Sequence, residues 1–187
     1  MRLDQPRIAP VDPNRLTPEE AEALKPFEGR PVLNIFRTFA RAPKALTAFL
    51  GWGNYVLSRR NALPAREREI VILRIGYLCR SGYEFAQHRR IGLEAGLTAE
   101  EITAIKTGAQ AASWSAPDQA LLRAADELHA DQFITPATWE ALSAHFDEKQ
   151  RMDLVFTAAQ YTQVSMILNT FGVQLEDSAQ LDPDLRR

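Results

Sequence analysis

Apolar residues recur along most of this chain at spacings of three and four, the mark of helices with one buried face, and no segment shows the period of two expected of a strand. The pattern predicts helices over 33–41, 44–59, 64–80, 82–94, 98–108, 117–130, 136–146 and 147–169. Their ends are signposted. Thr98-Ala-Glu-Glu101 is a capping box, Asp147 caps the last long helix, Pro64, Pro117 and Pro136 open first turns, and Gly96, Gly108 and Gly172 stop helices. Ile70 to Cys79 is apolar on nearly every side, which predicts a central, buried helix. The fold class is therefore all-α, a bundle of about eight helices. Residues 31–175 form its single domain. The first 30 residues hold five of the eleven prolines and one short helix, from the capping box Thr17-Pro-Glu-Glu20 to Leu24. The rest of that stretch reads as an extended arm, wrapped on the domain or on a neighbouring subunit, or as a loose leader. Residues 176–187 read as a solvated tail.

Composition narrows the partners. With 187 residues, 45% of them apolar and 25% charged, the chain suits one globular domain that buries roughly 70% of its unfolded surface. A net charge of −2 gives no reason to expect nucleic acid. The N-terminus lacks the apolar run of a signal peptide, and no stretch approaches the roughly 18 apolar residues of a membrane span. The expectation is a cytoplasmic protein with no membrane partner. The single cysteine, Cys79, excludes an intramolecular disulfide.

Polar residues bordering or interrupting the central helices are informative, because burying them requires a partner or a function. Glu69 lies just before the apolar run and Arg74 inside it. On the following helix Ser81, Glu84 and His88 fall within an arc of about 60° and share one face. A hydroxyl, a carboxylate and an imidazole so stacked can relay a proton. The same groups can instead form a structural network that fixes two helices together. Glu84 and His88 are also spaced for a metal, but His129 and His145 lie on other helices with no ligand pattern, so no metal is expected. The aromatic clusters Phe36, Phe39, Phe49, Trp52, Tyr55 and Phe156, Tyr161, Phe171 read as core or subunit interface. Phe85 and Ile91 adjoin the polar face of the motif helix and are expected to line a pocket there.

The order Glu69, eleven residues, Ser81-Gly-Tyr-Glu84, three residues, His88, then Ala95-Gly-Leu-Thr98 resembles the carboxymuconolactone decarboxylase family, most clearly over 64–107. The resemblance implies an alkylhydroperoxidase D-like helical fold and a homo-oligomer, trimeric, hexameric or dimeric. The redox branch of that family carries Cys-x-x-Cys where this chain has Ser81 and Glu84. A disulfide cycle needs two sulfurs in reach, and Cys79 would point about 200° away from the first motif position. The decarboxylase branch works without metal or organic cofactor, so no cofactor is expected. By this resemblance the chain is expected to be a lyase for a small carboxylated lactone or related organic acid, with decarboxylation favoured and a proton-transfer isomerisation or hydration through the same residues as the alternative. His88 is then the proton donor, Glu84 holds its tautomer, Glu69 is a second acid or base, and Tyr83 donates a hydrogen bond to developing negative charge. Ser81 completes the polar face. Of the six arginines between 66 and 90, Arg74 is the expected clamp for the substrate carboxylate, because its apolar neighbours leave it little solvent; pairing with an acid is the alternative. Arg66, Arg68, Arg89 and Arg90 read as solvated. Two other functions stay open: a peroxidase-related antioxidant protein, and a noncatalytic oligomer that binds a small acid.

Overall fold

A computed structural model describes residues 1–177 and 179–186; Ser178 and Arg187, which fall in the expected tail, lie outside the described residues. Among the described residues there are nine α-helices and no strand. In chain order they are α1 (Pro18–Leu24), α2 (Asn34–Phe39), α3 (Pro43–Leu57), α4 (Ala65–Leu78), α5 (Gly82–Glu94), α6 (Ala99–Thr107), α7 (Ala116–Asp131), α8 (Pro136–Ser143) and α9 (Glu148–Phe171). They are the short helix predicted for the N-terminal arm and eight helices at the positions predicted after it. Capping boxes at Thr17, Thr98 and Asp147 are formed in full, each supplying acceptors to first-turn N–H groups that have no partner within the helix.

Helix α4 is the centre of the bundle. It packs against α5, α7 and α9, and every residue from Ile70 to Ile75 except the partly solvated tip of Arg74 is sealed from solvent. Helix α5 returns beside it through a sharp turn in which Arg80 adopts φ 51° and Ser81 is extended. That left-handed residue is uncommon for a side chain with a Cβ and marks a position fixed by its surroundings. Gly76 on α4 sits where a Cβ would stand 3.4 Å from Glu84 Cγ, so the glycine lets α5 bring its carboxylate close to the central helix.

Two apolar clusters result. One surrounds α4 with side chains of α5 to α9; the other joins Val11, Ala23, Leu24 and Phe27 of the arm to Ile35, Phe39, Leu46, Val164 and Leu168. The arm is thus packed on its own domain, held also by Arg7 and Ile8 N–H donating to Phe171 O and by Val11 N–H donating to Arg37 O. The segment expected as a solvated tail is corrected by the structure. Leu185 is buried, the N-terminal ammonium donates to Leu185 O at 2.7 Å, and Lys106 Nζ pairs with Asp182 and Asp184. Charged composition suggested solvent, but those charges find partners on α6. Among the described residues no helix is long and apolar enough to cross a membrane.

Candidate active site

Three of the predicted residues meet. His88 on α5 places Nδ1 2.7 Å from Glu69 Oε2 on α4 and Nε2 3.0 Å from Glu84 Oε1, one turn back on its own helix. All three side chains are buried, with 8% or less of each exposed. The two contacts differ in kind. The Glu69 contact is an aligned hydrogen bond. The Glu84 contact is close but misaligned, so Glu84 Oε1 is buried with no hydrogen-bond partner. Such an oxygen is costly to leave unmade, about 1–3 kcal/mol, and is the least settled atom of the cluster.

Electrostatics follow from this arrangement. Burial, reinforced by the neighbouring Glu69 charge and opposed by His88, pushes the Glu84 carboxyl up to about 7. For His88, burial favours the neutral ring, but the attraction of Glu84 and Glu69 together with the Glu69 hydrogen bond outweighs it, so its affinity for a proton is raised. Tyr161 of α9 stands edge-on to the His88 ring at 4.8 Å, and its phenol is raised well above the ordinary value by burial and by the two carboxylates. A cation between two carboxylates, one of them titrating near neutrality, can both hold and release a proton at physiological pH.

The cluster borders a cavity of about 170 Å³ between α2, α3, α5 and α9. Glu84, His88, Gln160 and Tyr161 line it beside apolar walls that include Ile35, Phe36, Phe49, Leu50, Ile91 and Val164. Gln160 Oε1 is a second buried oxygen without a partner. An apolar cavity of about 150 Å³ holds a benzene ring, so this one suits a molecule of one small ring. Glu69 is not on its wall, which makes Glu84 and His88 the pair that a guest meets and Glu69 the group behind them.

The other predicted residues divide between the cavity wall and the core. Ile91 lines the cavity and so does Tyr83, but the single Tyr83 O–H proton is donated to Glu176 at 2.7 Å. Ser81 is sealed at the start of α5, off the cavity wall, with its Oγ unpaired. Phe85 is corrected: one position past Glu84 it turns about 100° and is buried in the α4 core, with its ring 6.0 Å from that of Tyr77. Arg74 is corrected too. Its Nε donates to Asp126 at 2.6 Å, and its Nη1 donates to the carbonyls of Ile105 and Lys106 at 2.9 and 2.8 Å. Gly108, at φ 80°, has no Cβ, and one would lie 2.6 Å from the guanidinium. Arg74 therefore staples α4 to the end of α6 and to α7, and is not on the cavity wall. Cys79 is also absent from that wall; its Sγ lies 3.6 Å from His129 Nδ1, and burial pushes its thiol up. Among the described residues no three His, Cys, Asp or Glu side chains are grouped to hold a metal ion.

Sequence reasoning missed Gln160, Gln87 and Glu176, and read Phe36, Phe49 and Tyr161 as core or interface. Nothing local to those residues could have singled them out: Glu176 follows α9 and does not line this cavity, and the others reach it from α2, α3, α5 and α9, between Phe36 and Tyr161 of the chain.

The model of the carboxymuconolactone decarboxylase family matches residues 43–127, the span that holds Glu69, Glu84 and His88. Over that span, a little under half of its length, the chain is similar to this family. The solved structures it resembles share its fold at low identity. An uncharacterized peroxidase-related protein from Silicibacter sp. TM1040 superimposes with a TM-score of 0.79 at 17% identity, covering 98% of this chain and 99% of that one. An alkylhydroperoxidase AhpD core protein, also peroxidase-related, from Ralstonia eutropha JMP134 gives 0.76 at 19%, covering 91% and 93%. A variant of the debrominase Bmp8 in complex with 2,3,4-tribromopyrrole gives 0.71 at 13%, covering 91% of each chain. No curated protein matches the sequence significantly. Against the Cys-x-x-Cys of the redox branch that the sequence resembles, this chain carries Ser81 and Glu84.

Proposed function

We propose that this chain is a cofactor-free lyase that decarboxylates a small carboxylated lactone or related organic acid by proton transfer at His88 and Glu84. The observation that carries the reading is the buried Glu84–His88 pair on the wall of a cavity sized for one ring, with no aligned hydrogen bond to Glu84 Oε1. In the reaction the bond between ring carbon and carboxylate breaks and carbon dioxide leaves. The electron pair moves into the conjugated lactone carbonyl, and the resulting enolate takes a proton at carbon from the His88–Glu84 pair, which is recharged from water. Glu69 positions the imidazole through Nδ1. The net change is one carboxylate and one proton in, one C–H bond and carbon dioxide out. Apolar walls favour the step, because charge that spreads over the lactone in the transition state is less dependent on water than a localised carboxylate.

A thiol peroxidase reading lacks its nucleophile at this cavity: the only cysteine is off the wall, packed beside His129, with its thiolate disfavoured by burial. Ring-bound ligands are compatible with the fold, since Bmp8 holds a brominated pyrrole. The protein is taken to work in the cytoplasm as a homo-oligomer, consistent with exposed Leu57, Phe133 and Met166. The test is a lactone labelled with ¹³C in its carboxylate, offered to the purified protein in deuterated water. Release of labelled carbon dioxide with one deuterium at the vacated carbon, abolished in His88→Ala, is expected. Lactones left intact by the wild type, or processed equally by His88→Ala, overturn the proposal.

A further inference from the structure

With Arg74 committed to Asp126, the cavity needs another group to receive a carboxylate, and the chain itself shows where one binds. Glu176, five residues beyond the end of α9, is held by three neutral donors. Its Oε1 accepts from the backbone N–H of Asn34 at 2.8 Å and from Tyr83 O–H at 2.7 Å, and its Oε2 accepts from the side-chain amide of Gln87. Among the described residues no lysine or arginine pairs with it. Two of the donors, Tyr83 and Gln87, line the inner cavity beside His88. Gln87 and Glu176 also line a second, larger hollow of about 450 Å³ on the outer side, and Leu33, Gln87 and Arg90 belong to both. Gln87 therefore sits at the boundary between outer hollow and inner cavity, with Tyr83 on the inner side and Asn34 between the lining residues Leu33 and Ile35 in sequence, and the group these donors hold is a carboxylate.

We propose that Tyr83 O–H, the Gln87 amide and the Asn34 N–H form a carboxylate-binding site at the cavity mouth, filled in this structure by Glu176, and that a small ring carboxylic acid binds by displacing it. The exchange is chemically conservative. One carboxylate replaces another, the three hydrogen bonds are remade, and no charge is left buried without a partner. The incoming acid differs in bringing a ring that the apolar walls can cover, whereas Glu176 brings only its methylenes. Exchange also explains how Tyr83 can serve a ligand at all, since its one proton is donated to Glu176 until that side chain leaves. Arg90, on the rim of both hollows and paired with solvent-exposed Glu94, supplies positive charge along the approach.

The inference rests on reading the cavity as a small-acid site, and its test is binding without turnover, so that the two fail separately. Benzoate and its neutral counterpart benzyl alcohol are titrated by calorimetry into the full chain as wild type, Glu176→Ala and Glu176→Gln. Benzoate is expected to bind about tenfold tighter to Glu176→Ala. A smaller gain is expected in Glu176→Gln, whose amide keeps the shape and loses the charge. Benzyl alcohol should change by less than about twofold, and adding Tyr83→Phe to Glu176→Ala should cancel the benzoate gain. Benzoate affinity unchanged in both Glu176 variants overturns the proposal. So does an equal gain for benzyl alcohol, which marks mere opening of the cavity, or a benzoate gain that survives Tyr83→Phe. Lactone decarboxylation lost in His88→Ala with benzoate binding unaltered by Glu176 would retain the catalytic reading and discard this one.

Discussion

Helix α4 carries two buried charges five residues apart, Glu69 and Arg74, and they have opposite fates. Arg74 is committed: its Nε donates to Asp126 and its Nη1 to two carbonyls at the end of α6, and it ties three helices together. Glu69 is one end of a chain that passes through His88 to Glu84 and stops at an oxygen without an aligned hydrogen bond, beside a hollow. Five residues turn a helix through about 140°, so one charge looks towards α7 and the other towards α5. Buried charge alone does not mark a functional site. What separates the two is whether the last atom of the network is satisfied, and whether there is room beside it.

The largest effect that would sharpen this contrast is on turnover. His88→Ala should lower kcat/KM on a carboxylated lactone by about a hundredfold to ten-thousandfold, the range spanned by acid–base groups, while circular dichroism shows the helices intact. Arg74→Met should do the reverse. Leaving Asp126 and two carbonyls without their donor is expected to cost about 2–3 kcal/mol in urea unfolding, with kcat/KM within about twofold of wild type once folded. A large rise in KM with little loss of stability would instead return Arg74 to the role of substrate clamp.

The acid–base cluster also predicts how stability varies with pH. Glu84 is pushed up to about 7 in the folded chain, so folding takes up a proton between the ordinary carboxylate range and neutrality. His88 is likewise raised, so the stabilisation it contributes is complete below its unfolded value, near 6.5, and is lost as pH rises through the folded one. Both signs agree: stability should fall from pH 5 to pH 8, by at most about 1.4 kcal/mol per pH unit for each proton taken up. Glu84→Gln should flatten the slope between pH 5 and 7, measured by chemical denaturation at a series of pH values. A slope unchanged in that variant would show that Glu84 is ionised throughout. The smallest effect belongs to Cys79→Ser, expected to alter turnover by less than about twofold and stability by about 1 kcal/mol. Loss of a hydroperoxide-reducing activity in that variant would restore the thiol reading.

Much of the fold was legible because its signals are local. Capping residues, stop glycines and the apolar run from Ile70 to Cys79 each act within one or two turns, and helices placed from them agree with the structure to within a few residues. The phase of Ser81, Glu84 and His88 is also local, and it brought the imidazole to its carboxylate; Glu69 entered through its spacing from the motif. Arg74 failed as a prediction for a different reason. Its burial was readable from its neighbours, but Asp126, 52 positions later, and the carbonyls at the end of α6 carry no mark of what they hold. Phe85 failed by one position on a helix, enough to turn a side chain from cavity to core. Gln160 and Glu176 were invisible because a tertiary contact, and nothing in their own surroundings along the chain, gives them meaning.

Titration of the Glu84 side-chain carboxyl by ¹³C NMR tests the account most directly, because Glu84 is where burial, the imidazole and the hollow converge. The account predicts a midpoint at about 7 in the wild type and a higher one in His88→Ala, where the favourable cation is gone. A midpoint in the ordinary carboxylate range, unmoved by removal of His88, would contradict it.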